Sequence, residues 1–557
     1  MRRYRSMKAL LVVVNLGRWV RKPRDIAGRQ CEHADMDLDH NACYRAICAR
    51  DARFDGRFFT AVKTTGIYCR PICPARTPRR ENITFYRSAA AAQEAGFRPC
   101  LRCRPETAPD LGAWRGTSNT VSRALALIEM GALDEAGVER LAERLGVGER
   151  HLRRLFRRHL GAPPVAVAQT RRVLLAKQLI HETRLPMVEV ALAAGFGSIR
   201  RFNETFHQLF RRPPGVLRRS GTAESSSGLS GEVTILLRYR PPYDWAAMSS
   251  YLQARAIPGV EVVSGDEYAR TIEIGGLRGT VSVRPAGDAA LRATIRFPKL
   301  PALPAIIARL RRLFDLAADP GAIGAALAED PALAPLIAAR PGLRVPGAWD
   351  GFELAIRAVL GQQITVTAAT SLAGKLVAAY GEPLTANGLG GNGLSHIFPR
   401  PERLARADLS ALGMPKQRAA ALTSLAAAVL ADPQIFGVRG NLVDAIVRLR
   451  ALPGVGEWTA QYIAMRELRE PDAFPAADIG LMRAVRDADG RRPGPRELLA
   501  RAERWRPWRA YAAHHLWASP VPSNGAKKDA AGHGAQTGPA LLGERRPGLA
   551  VGRIATR

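Results

Sequence analysis

The sequence predicts a multidomain chain that is mostly α-helical, with two α+β parts. Three observations predict it. All seven cysteines lie at or before Cys103, among short β-type runs. A basic helical unit occurs twice between residues 117 and 220. Residues 232–300 alternate like strands, and residues 301–519 are Ala/Leu-rich with helical periodicity. In chain order this gives a small cysteine-rich α+β domain, an all-α double helix-turn-helix, a small antiparallel-sheet α+β domain and an all-α helix-hairpin-helix block. A length of 557 residues accommodates about three or four domains. A hydrophobic content of 47% is enough to build a core in each.

Charge narrows the partner. The chain carries 82 Lys+Arg against 50 Asp+Glu, a net of +32. That balance requires a polyanion, either nucleic acid or an anionic membrane surface. No stretch offers 18 consecutive apolar residues, so a membrane span is excluded and nucleic acid is favoured. Between Arg140 and Arg219 there are 17 Lys+Arg and 5 Asp+Glu, a net of +12. A solvated face usually mixes signs, so this block is read as a DNA-contacting surface. At the front, MRRYRSMK and ALLVVVNLG imitate a secretory signal, but the apolar run is short and WVRKPRD follows without a clean cleavage site. Residues 1–35 are read as a disordered leader, with Met36 a natural beginning, and the compartment as cytoplasmic, associated with the nucleoid.

Residues 36–110 hold two close cysteine pairs. Cys69 and Cys73 are spaced C-x3-C, and Cys100 and Cys103 are spaced C-x2-C. Two such pairs can close a tetrahedral thiolate shell around one Zn²⁺. On spacing alone a purely structural zinc site is the preferred reading. Cys31, Cys43 and Cys48 lack such pairing and are read as ordinary cysteines. The surrounding residues, DGRFFTAVKTTGIYCRPICPARTPRRENITFY and AAGFRPCLRC, resemble the N-terminal domain of the Ada family of methylation-response proteins over about fifty residues. The resemblance implies that Cys69 is a methyl acceptor, with Cys73, Cys100 and Cys103 as the remaining zinc ligands. It implies a methyl phosphotriester in DNA as substrate, and places Arg76 and Arg98 at positions that contact phosphates. Zinc-bound sulfur is a thiolate at neutral pH, the nucleophilic form, so the chemistry suits those residues. The second, P-C-H-R methyltransferase site of Ada does not occur in the sequence, so direct reversal of O6-methylguanine is not expected.

Residues 117–220 contain the repeat. LAERLGV…LRRLFRRHLGAPP (141–164) recurs as VALAAGF…FNETFHQLFRRPP (190–214), offset by 49 at Gly146/Gly195 and by 50 at Pro163/Pro213. Each unit reads as a small-residue helix, a glycine turn, a second helix and a proline stop. Two ordinary helical hairpins would read the same way; the charge favours DNA. The block resembles the paired helix-turn-helix domain of AraC-type regulators, which implies that Arg150, Arg153, Arg154, Arg200 and Arg201 lie on or near recognition helices. GTAESSSGLSG (221–231) is a flexible linker by composition, and residues 520–557 read as a disordered tail.

The last two parts, 232–300 and 301–519, belong together. LPGVGEWTAQYIAMR (452–466) reads as a helix, a tight hairpin and a second helix, with Gly454 and Gly456 permitting close backbone approach to phosphate. Asp478 follows Gly456 by 22 residues. Taken alone, Asp478 would be a helix cap and the tryptophans would be core. RYRPPYDW, RLFDLAADP, ARPGLRVPGAWDGFELAIRAVLGQQ, LGMPKQRA and AERWRPWRAYAAHHLW make the block from about 238 to 517 resemble the AlkA family of 3-methyladenine DNA glycosylases. The resemblance implies that Asp478 is the catalytic carboxylate, that Trp458, Tyr462 and Trp517 line the base pocket, and that Gln363 stands at the residue wedged into the DNA stack. Gln363 replaces a family leucine, and Ile479 a family tyrosine. Trp458 stands where lyase-type relatives carry a Schiff-base lysine, so a monofunctional enzyme is expected; no C-terminal cysteines are present for an iron–sulfur cluster.

The expected protein repairs and senses alkylated DNA. It excises alkylated bases such as 3-methyladenine, accepts methyl groups from phosphotriesters on Cys69, and switches on transcription of repair genes. The expected partners are damaged double-stranded DNA, promoter DNA and RNA polymerase, with the chain a monomer. The alternatives are a methylation-sensing regulator with an inactive glycosylase scaffold, and a glycosylase whose front half is only a DNA tether.

Overall fold

The computed structural model describes residues 39–109, 119–218, 232–287, 289–384, 392–437, 442–486 and 490–519. The expected leader, linker and tail lie outside the described residues. The described residues fall in one compact unit.

The cysteine-rich part begins with helix His40–Cys48, capped by the Asp39 carboxylate on the Asn41 N–H. A four-stranded sheet follows in the order Ile83–Tyr86, Phe59–Val62, Ile67–Cys69, Arg98–Pro99. The first two pairings are antiparallel and the last is parallel. Alternation sends Phe58, Val62 and Ile83 against the first helix, and Phe59, Ala61 and Tyr68 against helix Ala89–Glu94. Cys43 sits in the first of these cores, and burial, with Asp39 adding to it, pushes its thiol up to about 11. An inert, protonated thiol is what an ordinary core cysteine should be.

The repeat forms two helix-turn-helix units: Val138–Arg144 with Glu149–Leu160, and Met187–Ala193 with Ile199–Phe210. Helix Pro164–Glu182 joins them. The turns need Gly146 and Gly195, whose φ values are +68° and +86°. The second helices bury Leu152, Phe156 and Leu160, or Phe202, Phe206 and Phe210, at helical spacing. Their remaining faces carry the arginines.

Strands Glu232–Arg238, Ala290–Arg296, Leu277–Ala286, Glu267–Ile274 and Glu261–Ser264 form an antiparallel sheet in that spatial order. Helix Trp245–Gln253, capped by Asp244, interrupts the alternating region and was not expected from it. A helical block completes the unit. One hydrophobic core runs from Val173 through Phe202, Phe206 and Phe210 to Val233, Ile235, Tyr268 and Phe314. The second helix-turn-helix unit and the sheet therefore share a core. Polar contacts join the other parts: Arg57 to Asp319 at 2.5 Å, Arg240 to the carbonyls of Arg53 and Asp55, and Arg123 to Glu470. No helix among the described residues is long and apolar enough to cross a membrane.

Behind the sheet lies a buried charge cluster. Arg270 is 2% exposed and pairs with Glu353 at 2.6 Å, while Arg357 pairs with Glu261 at 2.7 Å and Glu353 at 2.9 Å. Burial opposes ionisation of Glu261, but Arg357 and Arg270 outweigh it and hold its carboxyl below the usual range. Such a carboxylate stabilises the fold above its unfolded pKa, and that contribution is lost as pH falls through the folded value. Removing one cation leaves buried negative charge under-compensated, so Arg270→Met is expected to destabilise this part by about 3 kcal/mol. A urea titration followed by tryptophan fluorescence checks it; an unchanged midpoint would show that the cluster is energetically neutral.

Candidate metal centre and helix-hairpin-helix site

The Sγ atoms of Cys69, Cys73, Cys100 and Cys103 all lie within 4.8 Å of one another. A tetrahedron with bonds of about 2.3 Å has edges of about 3.8 Å, so the four sulfurs fit one zinc ion. The sequence assembles them through local pieces. Cys69 ends the strand Ile67–Cys69, and the parallel partner Arg98–Pro99 brings Cys100 alongside it. Cys100 and Cys103 are each 6% exposed, whereas Cys69 and Cys73 are half-buried. Four sulfurs this close repel one another strongly as thiolates. A divalent cation among them offsets that repulsion.

Backbone N–H groups support the two buried sulfurs, Arg70 donating to Cys103 and Arg102 to Cys100, both at 3.3 Å. The Arg70 guanidinium forks onto Asp55, which is 4% exposed, and donates to the Cys103 carbonyl at 3.2 Å and Thr107 Oγ1 at 2.6 Å. Arg76 is exposed and Arg98 half-buried. Arg150, Arg153, Arg154, Arg200 and Arg201 all lie on the helices Glu149–Leu160 and Ile199–Phe210 and are exposed. Arg153 pairs with Glu149 at 2.5 Å and Arg200 with Glu204 at 2.9 Å, exposed pairs of small energetic consequence.

The second site is built on helices Leu442–Arg450 and Glu457–Arg466 and the hairpin between them. Gly454 has φ +78°, and a Cβ there would lie 2.5 Å from that of Ala421. Gly456 precedes the first helical residue, and its missing Cβ faces open space at the helix N-terminus. That end presents backbone N–H groups suited to a phosphate. Gln363 is exposed, with φ +59°, in the turn before helix Val366–Tyr380. Gln362 beside it fastens this turn to the hairpin, donating to the Gly454 carbonyl at 2.8 Å and to Thr459 Oγ1 at 3.0 Å.

Asp478 caps helix Ile479–Ala484, Oδ1 accepting the Leu481 N–H at 2.9 Å. It is also gripped by two indoles. Trp458 Nε1 donates to Oδ2 and Trp517 Nε1 to Oδ1, each at 2.9 Å. A Cβ on Gly480 would lie 2.9 Å from Asp478 Oδ1 and 3.3 Å from the Trp517 ring, so this close approach needs glycine. Trp458 stacks on Tyr462, with centroids 5.1 Å apart and planes within 10°. Ile479 is 56% exposed beside the carboxylate. The carboxylate, two tryptophans and Tyr462 thus converge.

Sequence reasoning missed several neighbours. Tyr251, from helix Trp245–Gln253, meets Tyr462 hydroxyl to hydroxyl at 3.0 Å, and Arg466 Nη1 donates to Tyr462 at 2.5 Å. Arg255 lies 3.9 Å from the Tyr251 ring centre. Burial opposes ionisation of Tyr462, but Arg466 and Arg255 outweigh it and hold the phenol below its usual range. His514 packs against Tyr251 and Trp517; burial, reinforced by Arg466 and Arg255, keeps it neutral. Tyr251 is 211 residues from Tyr462 and carries no motif. Arg255 follows the end of the same helix, four residues after Tyr251.

Four family models match the chain. Residues 42–106 match the metal binding domain of Ada, 141–220 a helix-turn-helix domain, 234–350 the AlkA N-terminal domain, and 356–510 the HhH-GPD superfamily of base excision DNA repair proteins. A Mycobacterium tuberculosis protein described as a probable bifunctional transcriptional activator/DNA repair enzyme AlkA is 43% identical over 484 residues, which is 86% of this chain and 97% of the relative. Escherichia coli DNA-3-methyladenine glycosylase 2 is 38% identical over 288 residues, 50% of this chain and 95% of that one. The Escherichia coli bifunctional transcriptional activator/DNA repair enzyme Ada is 41% identical over 153 residues, 28% of this chain and 42% of that one.

Proposed function

The chain belongs to the family of bifunctional transcriptional activator/DNA repair enzymes AlkA, and from that premise we infer which of its residues carry each activity. It is a DNA glycosylase of the 3-methyladenine type and a methyl phosphotriester acceptor, joined to a DNA-binding helix-turn-helix.

The observation that carries the glycosylase assignment is the grip of two indole N–H groups on Asp478 beside a stacked aromatic wall. In our reading Asp478 is the catalytic carboxylate. An alkylated purine nucleoside is cationic, and its base leaves as a neutral molecule. The C1′–N bond electrons depart with the base, and the carboxylate stabilises the positive sugar and orients the water that adds to C1′. The indoles hold the carboxylate's direction without neutralising it. Trp458, Tyr462 and Trp517 receive the flipped base against electron-rich faces. Gln363 fills the space that the base vacates, while Gly454 and Gly456 bring the hairpin amides to the DNA backbone. Trp517→Phe keeps an aromatic face but removes one N–H. A hydrogen bond to a charged group is lost, so kcat is expected to fall roughly tenfold. Single-turnover release of 3-methyladenine from methylated duplex DNA measures this; an unchanged rate would reduce Trp517 to a packing residue.

Cys69, Cys73, Cys100 and Cys103 hold the zinc in this proposal, and zinc keeps their sulfurs as thiolates at neutral pH. Cys69 Sγ attacks the phosphotriester methyl in line. The S–C bond forms, the C–O bond breaks, and the electron pair stays on the phosphate oxygen. Burial falls on Cys100 and Cys103, which supports the half-buried pair as the reactive side. Loss of one thiolate charge lowers repulsion from DNA. That favours promoter binding through Arg150, Arg153, Arg154, Arg200 and Arg201, with Arg76 and Arg98 on phosphates at the acceptor. RNA polymerase as a further partner, a monomeric state and a nucleoid-associated cytoplasmic location complete the proposal. The boundaries proposed for the working parts are 36–110, 117–220, 232–300 and 301–519.

A further inference from the structure

Lys177 lies in the middle of helix Pro164–Glu182, and its side chain is fully buried at 0% exposure. It does not pack within its own domain alone. Its Nζ donates to the carbonyl of Cys100 at 2.9 Å and to Glu106 Oε2 at 2.6 Å. The other Glu106 oxygen accepts from Arg104 at 3.1 Å, and Arg104 reaches Glu182 Oε1 at 3.0 Å. Glu182 Oε2 accepts the Leu236 N–H at 3.0 Å, and Gln178 donates to the Leu236 carbonyl at 2.9 Å. The cysteine loop 100–106, the helix between the two helix-turn-helix units and the edge strand Glu232–Arg238 are thus tied by one set of polar contacts. Two cations tie the cysteine loop to this helix, Arg104 from the loop and Lys177 from the helix, and Lys177 is the fully buried one.

Four thiolates around a divalent ion carry a net charge of −2, and transfer of a methyl group to Cys69 leaves −1. A buried ammonium touching the same loop is attracted less in the second state, and solvent does little to screen the difference. The contact therefore has unequal strength before and after methyl transfer, as a coupling element must. We propose that Lys177 is a positioning residue that senses the charge of the cysteine centre, holding helix Pro164–Glu182 against loop 100–106 until Cys69 is methylated. The proposal rests on the reading of Cys69 as the acceptor.

The test uses the zinc-loaded full chain and a duplex oligonucleotide carrying one methyl phosphotriester. Mass spectrometry locates the methyl group, and amide hydrogen exchange reads residues 100–107 and 174–182. On methylation, exchange in the wild type is expected to rise by on the order of tenfold. Lys177→Met should exchange fast beforehand and show no further rise, with its zinc content kept, and Lys177→Arg should restore the response. Unchanged wild-type exchange despite a methyl group on Cys69 overturns the proposal, as does a full response in Lys177→Met. If Lys177→Met loses zinc, Glu106→Gln is read by the same criteria. A wild type whose Cys69 gains no methyl group overturns the acceptor reading itself, and this inference with it.

Discussion

Asp478→Asn should lower 3-methyladenine release from methylated duplex DNA by on the order of 10³-fold, with DNA binding retained. The substitution is nearly isosteric. The Asn oxygen can still accept the Leu481 N–H that Asp478 caps, so helix Ile479–Ala484 should keep its start. What is lost is the negative charge facing the developing positive sugar. The geometry adds a second penalty. Both carboxylate oxygens accept indole N–H groups, from Trp458 and Trp517. An Asn side chain has only one acceptor oxygen, so its NH₂ must face one indole donor to donor. Single-turnover release, with duplex binding measured in parallel, separates the outcomes. A variant that excises at the wild-type rate removes Asp478 from the chemistry. A wild type that binds DNA but releases no base would make the helix-hairpin-helix block a scaffold, and the protein chiefly a methylation-sensing regulator.

Cys69→Ala should reduce methyl transfer from phosphotriester DNA to background, because no other atom supplies the nucleophilic sulfur at that place. Three cysteines remain around the metal position, so zinc should be held more weakly and released more readily to a chelator. Base excision should continue at the wild-type rate. Asp478, Trp458, Tyr462 and Trp517 sit on elements after residue 456, and their side-chain hydrogen bonds and ring contacts are with one another and with Tyr251, Arg466, Leu481 and His514. Transfer of radiolabelled methyl groups and release of 3-methyladenine, measured on the same preparation, check both halves. Methyl transfer persisting in Cys69→Ala would assign the acceptor to another cysteine, with half-buried Cys73 next in line. Full transcriptional activation by the variant on alkylation would overturn the methyl switch.

Much of each site was legible because its parts are close in sequence or repeat at a fixed spacing. The C-x3-C and C-x2-C pairs needed only a strand pairing to meet, and the structure supplies it between Ile67–Cys69 and Arg98–Pro99. The glycine turns of the repeat and the hairpin at Gly454 were readable because a left-handed backbone favours glycine. Asp478 combined two readings that had looked like competitors. It is a helix cap, and it is also the carboxylate held between the tryptophans.

The unread parts share a different origin. Helix Trp245–Gln253 was hidden inside an alternating region, and with it Tyr251, whose partner Tyr462 lies 211 residues away. The common core of the second helix-turn-helix unit and the sheet could not be seen from composition, which shows each apolar face but not what covers it. Buried charges were equally silent. Lys177 and Arg270 look like surface residues in a basic chain, yet each is buried against an opposite charge from a distant segment.

By itself the sequence determined the order of its parts, the two cysteine pairs at metal-ligand spacing and the DNA-directed charge, since these follow from local spacing, turn stereochemistry and net charge, while the role expected of Asp478 came from the resemblance to a known family. Only the tertiary structure decided what stands behind them: the tyrosine–arginine contacts behind Trp458 and Tyr462, the shared core, and the lysine joining the cysteine loop to the helix-turn-helix. Those depend on which distant surfaces exclude water together, because burial turns an ordinary charged side chain into one that must find its partner.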